Sequence, residues 1–493
     1  MSHNTYDPGH IPREKPSQSG YDDGLLEMGR EHDQYDGEIH PTGPATVNDV
    51  FGSEEGHDIK YKTLRWPMVA VLMITEIVSN GMLSLPSSLA AVGIVPGIVV
   101  ILFLGCFATY TAWALIQFKL RHPQGSCRSS AWFLGRVMMI DEPRITAVHN
   151  MGDAGQVMFG PIGREILGGG TVIFAVCGTG SQMLAGQLAL SELSGHRLCA
   201  VAFTGIFAAA ITLFSFPRTL DQLAWLSILA TASILVAGIV AMAGAGAVPT
   251  APGDIAIAVA TDFTSAFVSI TNPVFAYAGH FMFFILISEM RRPEDAMKAA
   301  WTLQFVATAF YIVFAGVTYW YVGSGVASPS LLSLSPLWSK ISFGLAIPNF
   351  FLAGSLYSHT AAKLVFVRLF RHGRHLHSHT VTGWGAWTLL ILLANVAAFV
   401  LAVGIPVFNY LVGITAALFA AWYTYGLAGA FWLHDTYYFE GGLRAWAHRP
   451  FMVVINVLTV IAGAFICVGG LYATIKAMQA ASAEGSLPRP FQC

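Results

Sequence analysis

Charge is what this 493-residue sequence has least of: 11% of its residues are Asp, Glu, Lys or Arg, against 55% hydrophobic ones. A soluble domain carries about 25% charged residues, so a chain this apolar does not cover its own surface in water. Cysteine is scarce too. The six, Cys106, Cys127, Cys177, Cys199, Cys467 and Cys493, show no CxxC spacing, so neither a zinc site nor a disulfide framework is expected. No apolar h-region opens the chain, so its start does not read as a secretory signal peptide. There is no Asn-x-Ser/Thr sequon, no Gly-rich phosphate loop and no convincing pair of haem-ligating histidines, which disfavours a membrane redox enzyme. A net charge of −2 gives no case for nucleic-acid binding. No metal or cofactor is expected.

The acidic residues that do occur are concentrated at one end. Of 28, 13 precede Lys60. Residues 1–62 are rich in Asp, Glu, Gly, Pro, His and Ser, a composition that cannot bury enough apolar area to offset the entropy of ordering, and they read as a disordered acidic tail. Two readings stay open for it: a solvated leader, or a regulatory segment modified at Lys15, Lys60 or Lys62 that takes regulatory partners.

The rest of the chain is built of long apolar runs. A bilayer core about 30 Å thick needs roughly 20 apolar residues per helix. Eleven such spans are expected, near 66–90, 94–118, 162–191, 197–216, 222–246, 263–289, 299–323, 341–367, 383–405, 408–433 and 450–475, in a transmembrane domain of residues 63–476. Basic residues orient them. With the N-terminus cytoplasmic, 22 of the 26 Lys and Arg fall on the cytoplasmic side and 4 on the other. An error of one span would invert the later loops and spoil that asymmetry. The C-terminal residues 477–493 then form a short extracytoplasmic tail.

Two spans are irregular. The first holds Glu76, Ser79, Asn80, Gly81 and Pro86; the sixth holds Asn272, Pro273, Gly279 and His280 in its middle. Gly and Pro leave backbone groups that lipid cannot satisfy, so such breaks persist where protein, water or a ligand satisfies them. One kink is ordinary packing. Two, five spans apart, are what an inverted five-plus-five repeat with a mid-membrane site predicts, with span 11 outside the repeat. The expected fold is therefore all-α and integral to the membrane, with helices 1 and 6 broken.

Glu76 is the one acidic residue well inside a span. A carboxylate there costs several kcal/mol unless neutralised, which makes it a functional candidate. No Lys or Arg lies at mid-membrane to pair with it, so a proton or a bound cation is expected to neutralise it. Asn80 shares its helix face. His280 can titrate near neutral pH. Ser355 and Ser358 offer hydroxyls in span 8; bonds to the preceding turn are the plainer reading of both.

The stretch from Gly81 to Gly93 (GMLSLPSSLAAVG) resembles the opening of the amino acid/auxin permease family. Phe275-Ala-Tyr-Ala-Gly-His280, followed by Glu289-Met-Arg-Arg-Pro293, is similar to that family's sixth helix, and His149-Asn-Met-Gly-Asp-Ala-Gly155 also fits. The resemblance runs from about Arg65 to the C-terminus and is greatest to fungal neutral amino-acid permeases. It implies an eleven-helix form of the inverted-repeat transporter fold and secondary, usually proton-coupled, amino-acid symport. One stretch departs from it: residues 124–147 intervene where the family runs almost directly from Arg121-His-Pro123 into Val148. A retained intron in the gene and a genuine cytoplasmic insertion are the two explanations.

Within that fold, the half-helix following Gly81 would point its N–H groups and dipole at a substrate carboxylate, which singles out Asn80, Gly81 and Met82. Carbonyls near Phe275, Ala276 and Tyr277 would take the ammonium. Thr179 and Ser181 would line the site, though close packing also explains that Gly-rich run. Tyr277 and Phe281 would wall an apolar pocket, favouring neutral substrates with aromatic or large aliphatic side chains. The coupling ion is expected to be H+ through Glu76 or His280, with Na+ held by Asn80 and the span 8 hydroxyls as the alternative. An amino-acid sensor built on the same fold stays open, and the plasma membrane is favoured over the vacuolar one.

Overall fold

The computed structural model describes residues 51, 58–122, 148–371, 373–485 and 491. The stretch 124–147, and the acidic leader apart from Phe51 and residues 58–62, lie outside the described residues. Among the described residues all regular structure is helical, and strand-like pairing is confined to one isolated bridge between Leu64 and Met290. This follows from the apolar runs: without water, backbone groups must be satisfied within the segment, and the helix does that.

The first span comprises α1 (Trp66–Ile77), a 3-10 turn (Asn80–Ser84) and α2 (Leu85–Val92). The next four are α3 (Ile94–Arg121), α4 (Met151–Ser194), α5 (Ala200–Phe214) and α6 (Leu220–Ala247). The sixth divides into α7 (Phe263–Ala276) and α8 (His280–Ser288). Then come α9 (Ala296–Val322), α10 (Pro336–Phe370) and α11 (Val381–Gly404). The tenth span runs from α12 (Phe408–Thr415) through a π-helical stretch (Ala416–Gly426) into α13 (Leu427–Glu440), and after the short α14 (Leu443–His448) the eleventh is α15 (Pro450–Ala483). Ten of these segments are long and apolar enough to cross a bilayer, and α5, at 15 residues, is a shorter apolar helix at the expected place of the fourth crossing.

Spans 1 and 6 are innermost. In their most apolar stretches 89% and 94% of residues are buried within the protein, against 22% for α15, which lies at the periphery. α4 packs extensively against α10. Large apolar side chains such as Phe103, Leu213, Phe305 and Val468 point outward, as a lipid-facing surface requires.

Several details differ from the sequence expectations. α4 begins at Met151 rather than near 162, capped by the Asn150 side chain, which accepts the Asp153 N–H at 3.1 Å. It kinks at Gly160, whose φ of +69° favours glycine, just before Pro161. No disulfide framework was expected, and among the described residues Cys199 is disulfide-bonded. Glu289 and Lys363 are both buried, and they form an ion pair with each other.

That ion pair belongs to a packed end of the bundle. The segment before α1 crosses beneath it: Leu64 N–H donates to Glu289 O (3.0 Å) and Arg291 N–H to Leu64 O (2.8 Å). The Tyr61 hydroxyl donates to Leu376 O at 3.0 Å, and its ring stacks on Phe51 with centroids 4.5 Å apart. Lys363 Nζ lies 4.6 Å from the centre of the Tyr61 ring. Phe51, Ile59 and Tyr61, assigned from composition to the disordered tail, are thus buried. They share one apolar cluster with Ala362, Phe366 and Val367 of α10 and Trp387 and Ile391 of α11.

Candidate functional site

The two breaks face each other at the centre of the bundle. In span 1 the α-helix ends at Ile77; Ser79 adopts φ −143°, ψ −137°, and the chain resumes as the 3-10 turn from Asn80. The interruption is therefore centred at Val78–Ser79, slightly before the expected Asn80–Gly81. In span 6, α7 stops at Ala276 and α8 starts at His280, leaving Tyr277–Gly279 between them. A Cβ built on Gly81 would lie 3.0 Å from Ala276 Cα and 3.3 Å from Phe275 Cδ1. Glycine at 81 is thus what lets the two backbones touch.

Glu76 sits on the last turn of α1, buried beside the second break. Its Oε2 would be 2.7 Å from a Cβ on Gly279. The Tyr357 hydroxyl on α10 is its polar neighbour, yet neither carboxylate oxygen has a partner at full hydrogen-bond geometry. A buried carboxylate left in that condition must be neutral or must bind a cation.

A polar network surrounds the first break. Asn80 Nδ2 donates to Ser181 Oγ at 2.9 Å, and Ser181 donates to Gly178 O at 2.7 Å. Ser79 Oγ lies 2.5 Å from Asn349 Oδ1 and accepts from Gln182 Nε2 at 3.0 Å. Asn349 Nδ2 donates to Thr75 O at 3.1 Å. Spans 1, 3 and 8 are therefore joined through side-chain amides, which satisfy groups that the interrupted helix leaves open.

Tyr311, on α9, reaches both breaks. Its hydroxyl lies 2.7 Å from Ile77 O and 2.8 Å from Ala276 O, the terminal carbonyls of α1 and α7. On the other side of α8, Phe281 stacks on Tyr357 with centroids 5.8 Å apart and planes 3° off parallel, and packs on Phe174 at 4.5 Å. These rings make an aromatic wall.

The sequence candidates divide. Glu76, Asn80, Gly81, Phe275, Ala276, Ser181 and Phe281 gather around the paired breaks. Met82 is buried with its side chain near Gly238 on α6. Thr179 donates to Ala175 O at 3.0 Å, within its own helix. The Tyr277 hydroxyl turns to α3 and α9, lying 3.2 Å from Ile101 O and 3.0 Å from Thr308 Oγ1. His280 Nε2 lies 2.8 Å from Ala108 O; because a carbonyl only accepts, that nitrogen carries hydrogen, and the ring faces α3. Ser355 Oγ lies 2.8 Å from Phe351 O and 3.2 Å from Ile211 O, and Ser358 accepts from Asn395 at 2.7 Å. Both serines thus face α5 and α11 and do not meet Asn80.

Residues the sequence did not single out are Gln182, Tyr311, Asn349 and Tyr357; Ser79 was named only for the irregularity of the first span, with no site role. Gln182 closes the polar run Cys177–Gln182, and Asn349 follows an intrahelical Pro348, so both carried a faint signal. Tyr311 carried none, since its partners come from two other helices.

Residues 62–476 match the profile of the family described as "Transmembrane amino acid transporter protein". Among curated relatives, a "Transmembrane transporter" of Fusarium pseudograminearum is 27% identical, covering 92% of this chain and 91% of that protein. The "N amino acid transport system protein" of Neurospora crassa is 27% identical, over 94% and 95%. Among solved structures, a Na+-coupled sialic acid symporter superposes with a TM-score of 0.51 at 8% identity, over 85% of this chain and 92% of that one. An Eremococcus coleocola manganese transporter gives 0.52 at 13% identity, over 88% and 91%. At those identities the likeness concerns the fold, the inverted-repeat architecture of secondary transporters.

Proposed function

Since the chain belongs to the transmembrane amino acid transporter family, we propose that it imports neutral amino acids with aromatic or large aliphatic side chains, by proton-coupled symport and alternating access. The observation that carries this is Glu76: a buried carboxylate, without a cationic partner among the described residues, packed between the two helix breaks. Loading it with a proton would remove the cost of its charge as the centre closes, and releasing that proton would follow reopening on the other side. The substrate carboxylate would be received at Asn80 and Gly81, with the dipole of α2 behind them. Its ammonium would take the carbonyls of Ile77 and Ala276.

The aromatic wall of Phe174, Phe281 and Tyr357 supports apolar side chains. The absence of Lys or Arg among the described residues around the breaks disfavours anionic substrates. The span 8 serines engage α5 and α11, which favours a proton over sodium as the coupling ion. The basic end of the bundle, with Arg218, Arg291, Lys363 and Arg371, would be cytoplasmic, in a protein of the plasma membrane.

Proteoliposomes containing the protein should accumulate labelled phenylalanine and leucine when an inward proton gradient is imposed. In Glu76→Gln, that uptake should lose its dependence on pH. Binding without accumulation would point to a sensor, and accumulation that follows sodium instead of protons would remove Glu76 from coupling.

A further inference from the structure

Tyr311 presents one donor to two acceptors. Its hydroxyl carries a single hydrogen, and both Ile77 O and Ala276 O lie within hydrogen-bond distance of its oxygen. Ile77 O also accepts the Ser79 N–H at 3.0 Å. Ile77, Ala276 and the Tyr311 side chain are buried. The two carbonyls end the first halves of the two broken helices, so their convergence on one atom ties the breaks together. A primary ammonium carries three hydrogens and suits a point between two carbonyls better than a hydroxyl does.

From this geometry we infer that the Tyr311 hydroxyl is a built-in stand-in for the substrate ammonium, bridging the two breaks whenever the carrier is unloaded. This rests on the transport function proposed above. A symporter must reorient without substrate to complete a net cycle, and the paired breaks must then close on something. Without the hydroxyl, Ala276 O would be buried without a donor across the unloaded seam, and Ile77 O would keep the Ser79 N–H alone, which is costly. The hydroxyl supplies one. When substrate enters, its ammonium takes the carbonyls and the hydroxyl gives way or shares them. Tyr311 is thus a positioning residue for the return step and a competitor for the loaded one.

Tyr311→Phe keeps the ring and removes only the donor. In proteoliposomes, net uptake of labelled phenylalanine into empty vesicles requires the unloaded return, whereas exchange into vesicles preloaded with phenylalanine does not. The ratio of net uptake to exchange should fall roughly three- to tenfold in the variant, the range expected for one buried hydrogen bond, with exchange retained. Retained exchange also shows that the variant is folded. Tyr423→Phe removes a buried hydroxyl that donates to Leu167 O at 2.6 Å, away from the breaks, and should leave the ratio unchanged. An unchanged ratio in Tyr311→Phe, whether both fluxes persist or fall together, would overturn the inference, as would an equal effect of Tyr423→Phe. Wild-type protein that neither accumulates nor exchanges phenylalanine would instead defeat the transport reading on which this rests.

Discussion

Gly279 lies directly against the Glu76 carboxylate, so that a single added carbon at 279 would sit 2.7 Å from Oε2. Glycine at one break makes the space that the acid at the other break occupies. Its φ of −100° is open to any residue, so the requirement for glycine is steric and not conformational.

Gly279→Ala should therefore fold yet transport poorly. The new methyl meets the Ile77 side chain as well as Glu76, and overpacking of this kind costs about 1–3 kcal/mol. Uptake should fall several-fold, and trimming the neighbour with Ile77→Val in the same chain should recover part of it. Wild-type uptake in Gly279→Ala would show that the seam has more room than the structure indicates.

Asn80→Ala removes the amide that donates to Ser181 at 2.9 Å. If Asn80 receives the substrate carboxylate, the half-saturating concentration should rise about five- to tenfold, with a smaller change in the rate at saturation. A loss confined to the maximal rate would assign Asn80 to conformational change and not to binding.

Lys363 and Glu289 form a buried pair. Removing one partner leaves an uncompensated charge, at a cost of about 3–5 kcal/mol. Lys363→Met and Glu289→Leu should each lower the unfolding temperature of the purified protein sharply, and the double variant should lose much less than the sum. Additive losses would mean that the two charges are stabilised independently.

Acidification should destabilise the protein through His149. This histidine is buried just before α4, and that burial, reinforced by Lys119, Lys363 and Arg371, lowers its pKa well below the ordinary 6.5. The unfolded chain then takes up a proton that the folded one refuses. Its contribution to stability is intact above pH 6.5 and is lost as pH falls below it, by up to about 1.4 kcal/mol per pH unit. The unfolding temperature of His149→Gln should depend less steeply on pH over that range; an unchanged slope would assign the acid sensitivity elsewhere.

Much of this architecture was legible in the sequence because lipid imposes a simple rule. Spans 1 and 6 announced their breaks through Gly, Pro and Asn where apolar residues belong, and Glu76 stood out as a lone acid. What the sequence concealed were relationships between helices. Tyr311 reads as one more aromatic in an apolar run, and its meaning lies in carbonyls more than 30 residues away. His280 is conspicuous in sequence but turns toward Ala108, because a rotation about the helix axis is invisible without the neighbours. Tyr61 was hidden by composition: a few apolar residues in a polar leader are enough to pack one end of the bundle, although they do not change the average.

The brevity of α5 has a consequence for the surrounding lipid. At 15 residues it is about 22 Å long, several ångströms less than the hydrocarbon thickness of about 30 Å that its neighbours span. Arg218, just beyond its end, is held by the carbonyl of His375 at 2.8 Å and lies over the Phe366 ring at 4.6 Å. That end of α5 is therefore not free to slide toward the headgroups. Thinning of the bilayer along this one flank is one way to accommodate such a short helix, and it would give the protein a thin side whose strain depends on the thickness of the membrane that holds it.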